Sequence, residues 1–323
     1  MISAANRASP LPILNAARQG DLDQVAALRE QGAFPRDSIL IGISTELDRK
    51  ESVGPGIYEY FKRLADTDVA RQMGKVVIPV PINSDYSGRI PQGVSGQERL
   101  DHLKNLVKKD VAGLDGVVVP GDPYNFPALR GDIPIRDAIH TYPGPVDAHD
   151  FPSIYGITAR EFYERYPDHK LNPCPDSIQY EAVLLDQVAP TDQVVMTSCH
   201  GTQIYALLQG AKMVAGIAGH NDSKPHLTKL KPGSLNHALL GDEDRVTLHV
   251  HKLALDGDSM PEGLEVTGVS DGHVEVIEEK QGKPYYGYQP HPEFTEGHPA
   301  IEAFVGSVIQ RHLKQAVLKE LAV

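Results

Sequence analysis

Between residues 38 and 123, short β-branched apolar runs alternate with helically spaced segments, and this alternation constrains the fold more than any other feature. Ser38-Ile-Leu-Ile-Gly-Ile-Ser44, Val76-Val-Ile-Pro-Val80 and Leu114-Asp-Gly-Val-Val-Val-Pro-Gly-Asp-Pro123 have the unbroken hydrophobicity of strands buried on both faces. Pro79 reads as a strand end. From Gly56 to Met73, Ile57, Tyr60, Phe61, Leu64 and Val69 recur at roughly helical spacing; from Glu98 to Val111, Leu100, Leu103, Leu106 and Val107 make one stripe. Strands separated by helices predict an α/β fold with a mostly parallel sheet and helices on both faces.

The same rhythm closes on a chemically loaded turn. Ser177 to Val188 reads as a helix, followed by Gln193-Val-Val-Met-Thr-Ser-Cys199-His-Gly-Thr-Gln203 and the helical pattern Ile204-Tyr-Ala-Leu-Leu208. A strand that turns sharply into a helix lifts the residue at the turn clear of the sheet and aims the helix's free N–H groups at what that residue attacks. The positive end of a helix favours a thiolate, so Cys199 is the candidate nucleophile. Its candidate base is His291, with Glu293 two residues on. In extended backbone both face one side, so Glu293 can orient the imidazole toward Cys199. Oxyanion donors are expected from the His200 N–H and from Gly121, where the absence of Cβ lets backbone approach a substrate.

Beyond the turn, Val246–Val250, Leu264–Ser270 and His273–Glu278 alternate apolar and polar residues, predicting a half-exposed antiparallel section, with Ser270-Asp-Gly-His273 as a hairpin turn. Lys283 to Gln289 reads as one more strand and Ala300 to about Leu321 as a last helix. Residues 124–173, rich in Pro, Asp, His and Tyr, break the pattern; their aromatics point to an ordered insertion beside the site or to a homodimer contact. Residues 10–33 read as two short helices split at Gly20-Asp21, with Asp21 as N-cap and Gly32 as stop. Over about 24 residues they resemble one ankyrin repeat, which cannot bury its own apolar face. We expect an N-terminal arm over residues 1–37, with a protein partner or the main domain against it, and a catalytic domain over 38–323.

The three motifs Val119-Pro-Gly-Asp-Pro123, Ser198-Cys-His-Gly-Thr-Gln203 and Gly287-Tyr-Gln-Pro-His-Pro-Glu293, in this order, resemble a class I glutamine amidotransferase domain over about residues 38–315. Within that superfamily they are most similar to the stand-alone γ-glutamyl hydrolase branch, peptidase family C26, which includes γ-glutamyl-GABA hydrolases. The resemblance implies a flavodoxin-like sheet and a small-molecule γ-glutamyl substrate whose amide C–N bond is cleaved through a thioester on Cys199. It implies His291 as base, Glu293 as orienting acid, Gly121 and His200 as oxyanion donors, and Gln203 at the glutamyl end of the substrate. A substrate-groove histidine of the family corresponds to His251 or His249. Thr197 stands where the family often has Gly. A glutaminase subunit delivering ammonia to a separate synthetase, or an inactive interaction protein on the same fold, are the alternatives.

Other partners are disfavoured by composition. A formal charge of −12, from 43 acidic against 31 basic residues, argues against nucleic acid. No apolar stretch is long enough to span a bilayer, and no signal-peptide pattern opens the chain. Two cysteines, Cys174 and Cys199, make no disulfide framework and suit a reducing, cytoplasmic compartment. No phosphate-binding glycine loop occurs, so no nucleotide or other cofactor is expected. His249-x-His251 has two-ligand spacing, but nothing nearby in sequence completes a set, so no metal is expected.

Overall fold

The computed structural model describes residues 11–19, 21–32, 38–45, 55–86, 88–92, 94, 96–121, 175–215, 220, 226–244, 251, 253–280 and 284–321. The expectations for insertion 124–173, Cys174, His249 and strand Val246–Val250 fall outside these residues.

The predicted apolar runs form adjacent strands. β1 (Ile39–Thr45) pairs in parallel with β2 (Val77–Asn83) on one side and β3 (Gly116–Val119) on the other. β4 (Val194–Ser198) follows β3, and all five of its residues are buried. Pro79 does not end its strand. β2 continues through Pro81 to Asn83 as the outermost strand of the sheet, where a missing N–H removes no ladder bond. The segment expected as one helix over Gly56–Met73 divides into α3 (Pro55–Ala65) and α4 (Asp68–Gln72). Glu302 explains the break: its carboxylate accepts from the N–H groups of Asp68 and Val69, capping a second helix start.

The remaining helices are α5 (Gly96–Asp110), α6 (Pro175–Val188), α7 (His200–Leu208), the short α8 (Leu235–Leu240) and α9 (Pro299–Leu321). α5, α6 and α7 pack in series on one face of the sheet, and α3, α4 and α9 cover the other. α9 meets the sheet at Gly116, where an added methyl would lie 2.6 Å from Val308 Cγ2.

In the C-terminal half, β5 (Met213–Ala215) pairs with β8 (Leu253–Leu255) as a separate ribbon. The rest extend the main sheet: β6 (Thr228–Leu230), β7 (Glu243–Asp244), β9 (Leu264–Ser270), β10 (His273–Glu279) and β11 (Tyr285–Tyr288). The order is β2-β1-β3-β4-β11-β10-β9-β6-β7, parallel as far as β11 and antiparallel beyond it. This is the expected α/β architecture with its mixed C-terminal section. The β9–β10 turn has Asp271 and Gly272 at φ 49° and 82°, the positive pair that matches the twist of a tight hairpin.

The N-terminal residues form α1 (Leu11–Gln19) and α2 (Leu22–Glu30), and the Asp21 side chain caps α2 by accepting from the Gln24 N–H. Ile13, Ala16, Ala17, Leu22 and Val25 are buried in the same apolar core as β1 and β2. Arg29 ties α2 to the carbonyls of Pro81 and Asp110. The hairpin's apolar face is therefore covered by the main domain.

Candidate active site

β4 runs into α7 through Cys199, whose φ of 48° and ψ of −111° are costly for a residue with a Cβ. Neighbouring bonds hold the turn. The Cys199 N–H donates to Tyr288 O at 2.7 Å, and the Gln203 N–H donates to Cys199 O. Thr202 Oγ1 donates to Tyr288 O, and Thr197 Oγ1 lies 2.8 Å from both Thr202 Oγ1 and the Tyr285 hydroxyl. Thr197 is thus a working part of this turn, its hydroxyl a hydrogen-bonded tie between α7 and β11. Gly201 answers a separate need, since a Cβ there would lie 2.2 Å from Val119 O.

β11 ends at Tyr288, and the chain beyond it brings His291 to Cys199. His291 Nδ1 is 2.7 Å from Glu293 Oε1, with Glu293 fully buried. Nε2 is left for the thiol, and Cys199 is within hydrogen-bonding reach of the ring. Burial pushes the His291 imidazole down, but the charges of Glu293 and then Cys199 outweigh it and hold the ring well above the ordinary 6.5. The site therefore favours the protonated His291 ring.

Gly121 marks how closely these groups converge. A methyl there would lie 2.9 Å from Cys199 Cβ and 3.2 Å from His291 Nε2. Its N–H donates to Ser198 Oγ at 3.0 Å, so a substrate oxyanion would have to displace that hydroxyl to use it. His200 opens α7, so its backbone N–H stands at the positive end of the helix. Gln203 is buried one turn on, its Nε2 donating to Gln289 Oε1 at 3.0 Å.

Several contributors escaped the sequence reading. Gly56, at the start of α3, lets the helix close on Glu293: a Cβ there would lie 2.6 Å from Oε1. The carboxylate thus meets the positive end of a helix dipole. Tyr60, fully buried on α3, faces Glu293 and Ser198; burial first and the Glu293 charge next keep its phenol well above the usual tyrosine range, hence neutral. Glu181, on α6, stands 3.2 Å from His200 Nε2. A helical spacing alone gives these residues no signal of their partner.

His251 is the substrate-groove candidate that falls within the described residues. It is buried with its Nε2 3.5 Å from Glu275 Oε2 on β10 and its ring 5.0 Å from that of His220.

Residues 173–306 match Glutamine amidotransferase class-I. The matched stretch, less than half of the chain, contains Cys199, Gln203, His251, His291 and Glu293, whereas Gly121 precedes it. Among curated relatives, the carbamoyl phosphate synthase small chain of Salmonella typhi is 34% identical over 140 residues, 41% of this chain and 32% of the relative. The protein of the same name from Yersinia pseudotuberculosis is 29% identical over 328 residues, 87% of this chain and 76% of that one. The first alignment thus spans about a third of its relative. Among solved structures, the glutaminase domain of Trypanosoma brucei CTPS with bound acivicin superposes with a TM-score of 0.54 at 11% identity, covering 84% of this chain and 94% of that one. That likeness is one of fold. No helix among the described residues is long and apolar enough to cross a membrane.

Proposed function

We propose that this amidotransferase domain hydrolyses the side-chain amide of glutamine through a γ-glutamyl thioester on Cys199, and that the ammonia passes to a separate synthetase. The observation that carries the chemistry is the buried 2.7 Å His291–Glu293 pair set against the Cys199 thiol. In the first half-reaction the Cys199 sulfur attacks the amide carbon. His291 gives its proton to the leaving nitrogen, the C–N bond breaks, and ammonia departs. Water then adds to the thioester, His291 takes up its proton, and the C–S bond breaks to release glutamate. Glu293 holds the ring in the required tautomer. The N–H groups of His200 and Gly121 would receive the oxyanion, each such donor being worth about 10²–10³-fold in related chemistry.

The motifs alone favoured a γ-glutamyl hydrolase. None of the relatives described above bears that name, and both curated ones are named small chains of carbamoyl phosphate synthase. These names support glutamine as substrate and a larger synthetase as partner.

Intact-mass analysis after treatment with a glutamine-like electrophile tests the chemistry. One adduct is expected on the native chain and none on Cys199→Ala; equal labelling of both would overturn it. Ammonia release from glutamine and from a panel of γ-glutamyl amines separates the two enzyme readings. Slow glutamine turnover by the isolated chain, accelerated by a synthetase, is expected. Efficient turnover of γ-glutamyl amines by the chain alone would replace this reading with the hydrolase one.

A further inference from the structure

Away from Cys199, the structure gathers a second set of reactive side chains that the proposed reaction does not use. Four histidines and two carboxylates meet at the β9–β10 hairpin: His220, His226, His251 and His273 with Asp271 and Glu275. At its centre, Glu275 is completely buried, as is His220, and His251 is 3% exposed. His220 Nδ1 lies 3.0 Å from Glu275 Oε1, and His251 Nε2 lies 3.5 Å from Glu275 Oε2.

We propose that His220, His251 and Glu275 bind one divalent transition-metal ion of the zinc class. One donor atom from each of the three lies within 4.8 Å of the other two. Tetrahedral zinc with bonds of about 2.0–2.2 Å separates its donors by about 3.3–3.6 Å, and the two rings already stand 3.0 and 3.5 Å from the two oxygens of the Glu275 carboxylate, one ring to each oxygen. Two imidazoles and a carboxylate form a nitrogen–oxygen donor set suited to zinc and its neighbours rather than to calcium or magnesium. Three protein ligands leave a fourth position for water or another donor.

The surroundings fit a metal as well. A ligating imidazole commonly turns its second nitrogen toward a carboxylate, and His220 Nε2 faces Asp271 Oδ2 at 3.9 Å. The two histidine segments are held in register without any ion, because the His251 N–H donates to His220 O at 2.9 Å. The site thus joins three segments distant in sequence: the turn at 220, His251 two residues before β8, and Glu275 within β10. It also borders the catalytic wall. The Glu275 carbonyl accepts from the Gln289 N–H at 2.7 Å, and Gln289 holds Gln203. Neither His220 nor Glu275 stood out in the sequence, since they lie 55 residues apart (275 − 220).

The untagged full chain, exposed to Zn²⁺ and dialysed, tests the assignment by elemental analysis. About one zinc per chain is expected in the native protein and in Cys199→Ala, with loss in His251→Ala and in Glu275→Gln. Zinc should also raise the melting temperature of the native chain and of Cys199→Ala alike, and a chelator should reverse the rise. A native chain that retains no zinc, or variants that retain as much as native, would overturn the assignment and show a hydrogen-bonded His–Glu cluster only. Should the two variants fail to fold, Co²⁺ added to the native chain decides. Intense visible bands of a low-coordinate nitrogen–oxygen site support the assignment, and the weak spectrum of aqueous Co²⁺ overturns it. Because Cys199→Ala keeps the ion, these outcomes are independent of the amidotransferase reading.

Discussion

His200 Nε2 stands 3.2 Å from Glu181 Oε2, with both side chains 3% exposed. The other oxygen of that carboxylate accepts from the Ser44 hydroxyl at 2.7 Å. The residue that follows the nucleophile is thereby tied through α6 to the end of β1. Glu181→Ala removes the buried acceptor of Ser44 and the carboxylate beside His200, and should cost about 1–3 kcal/mol, read as a lower urea midpoint. Hydrolysis should fall too, because the His200 N–H sits next to Cys199. An unchanged midpoint would mean that this pair contributes nothing.

Gly56 exists for Glu293. In Gly56→Ala the new methyl would fall 2.6 Å from Oε1, so the carboxylate must move and its 2.7 Å contact with His291 must open. Misorienting a catalytic imidazole is expensive in rate rather than in stability. We expect about a 10²-fold fall in kcat, with circular dichroism and melting temperature near native. Full activity in this variant would contradict the arrangement of α3 against the dyad.

Gly201→Ala should act through the backbone instead. Alanine is a better helix former than glycine, but its Cβ would lie 2.2 Å from Val119 O, and neither partner is a flexible side-chain end. Overpacking of this kind costs about 1–3 kcal/mol and would shift α7 away from β3. Loss of both stability and thiol labelling at Cys199 is expected; a stabilised, fully active variant would refute it.

His291 supplies a pH dependence with a defined direction. Its folded value lies well above 6.5, despite burial, because of the charges of Glu293 and Cys199. A raised value means that the charged ring stabilises the fold fully below about pH 6.5, and that this contribution is lost as pH rises through the folded value. Leaving-group protonation needs the same proton, so kcat/KM should decline on the alkaline side. Glu293→Gln, which removes the leading raising charge, should move that decline to lower pH. Identical alkaline limbs in the two proteins would count against His291 as the proton donor.

Much of this was legible in the primary structure because it is local. The β-branched runs at 39–45, 77–83 and 194–198 bury both faces, a property that needs no knowledge of neighbours. The elbow at Cys199 and the His291-x-Glu293 spacing are likewise short-range, since two residues on one side of extended chain share a face. Even the strain at Cys199 follows from placing a side chain where strand becomes helix. What the local pattern does not convey is which amine leaves, because the turn and the dyad act on the carbonyl side of the bond that is cut.

The sequence by itself therefore determined the layered α/β sheet and singled out the candidate nucleophile and its candidate base, through hydrophobic period and residue spacing. Tertiary structure alone decided the company these residues keep. Gly56 and Tyr60 reach Glu293 from a helix more than 230 residues earlier (293 − 60 = 233). Gly121 has its N–H on Ser198, and His251 turns to Glu275 and His220 rather than standing as one isolated histidine on a strand. Such partnerships are made by strand order and helix docking. A sheet that sets β11 between β4 and β10 brings together side chains whose separation along the chain carries no record of the contact.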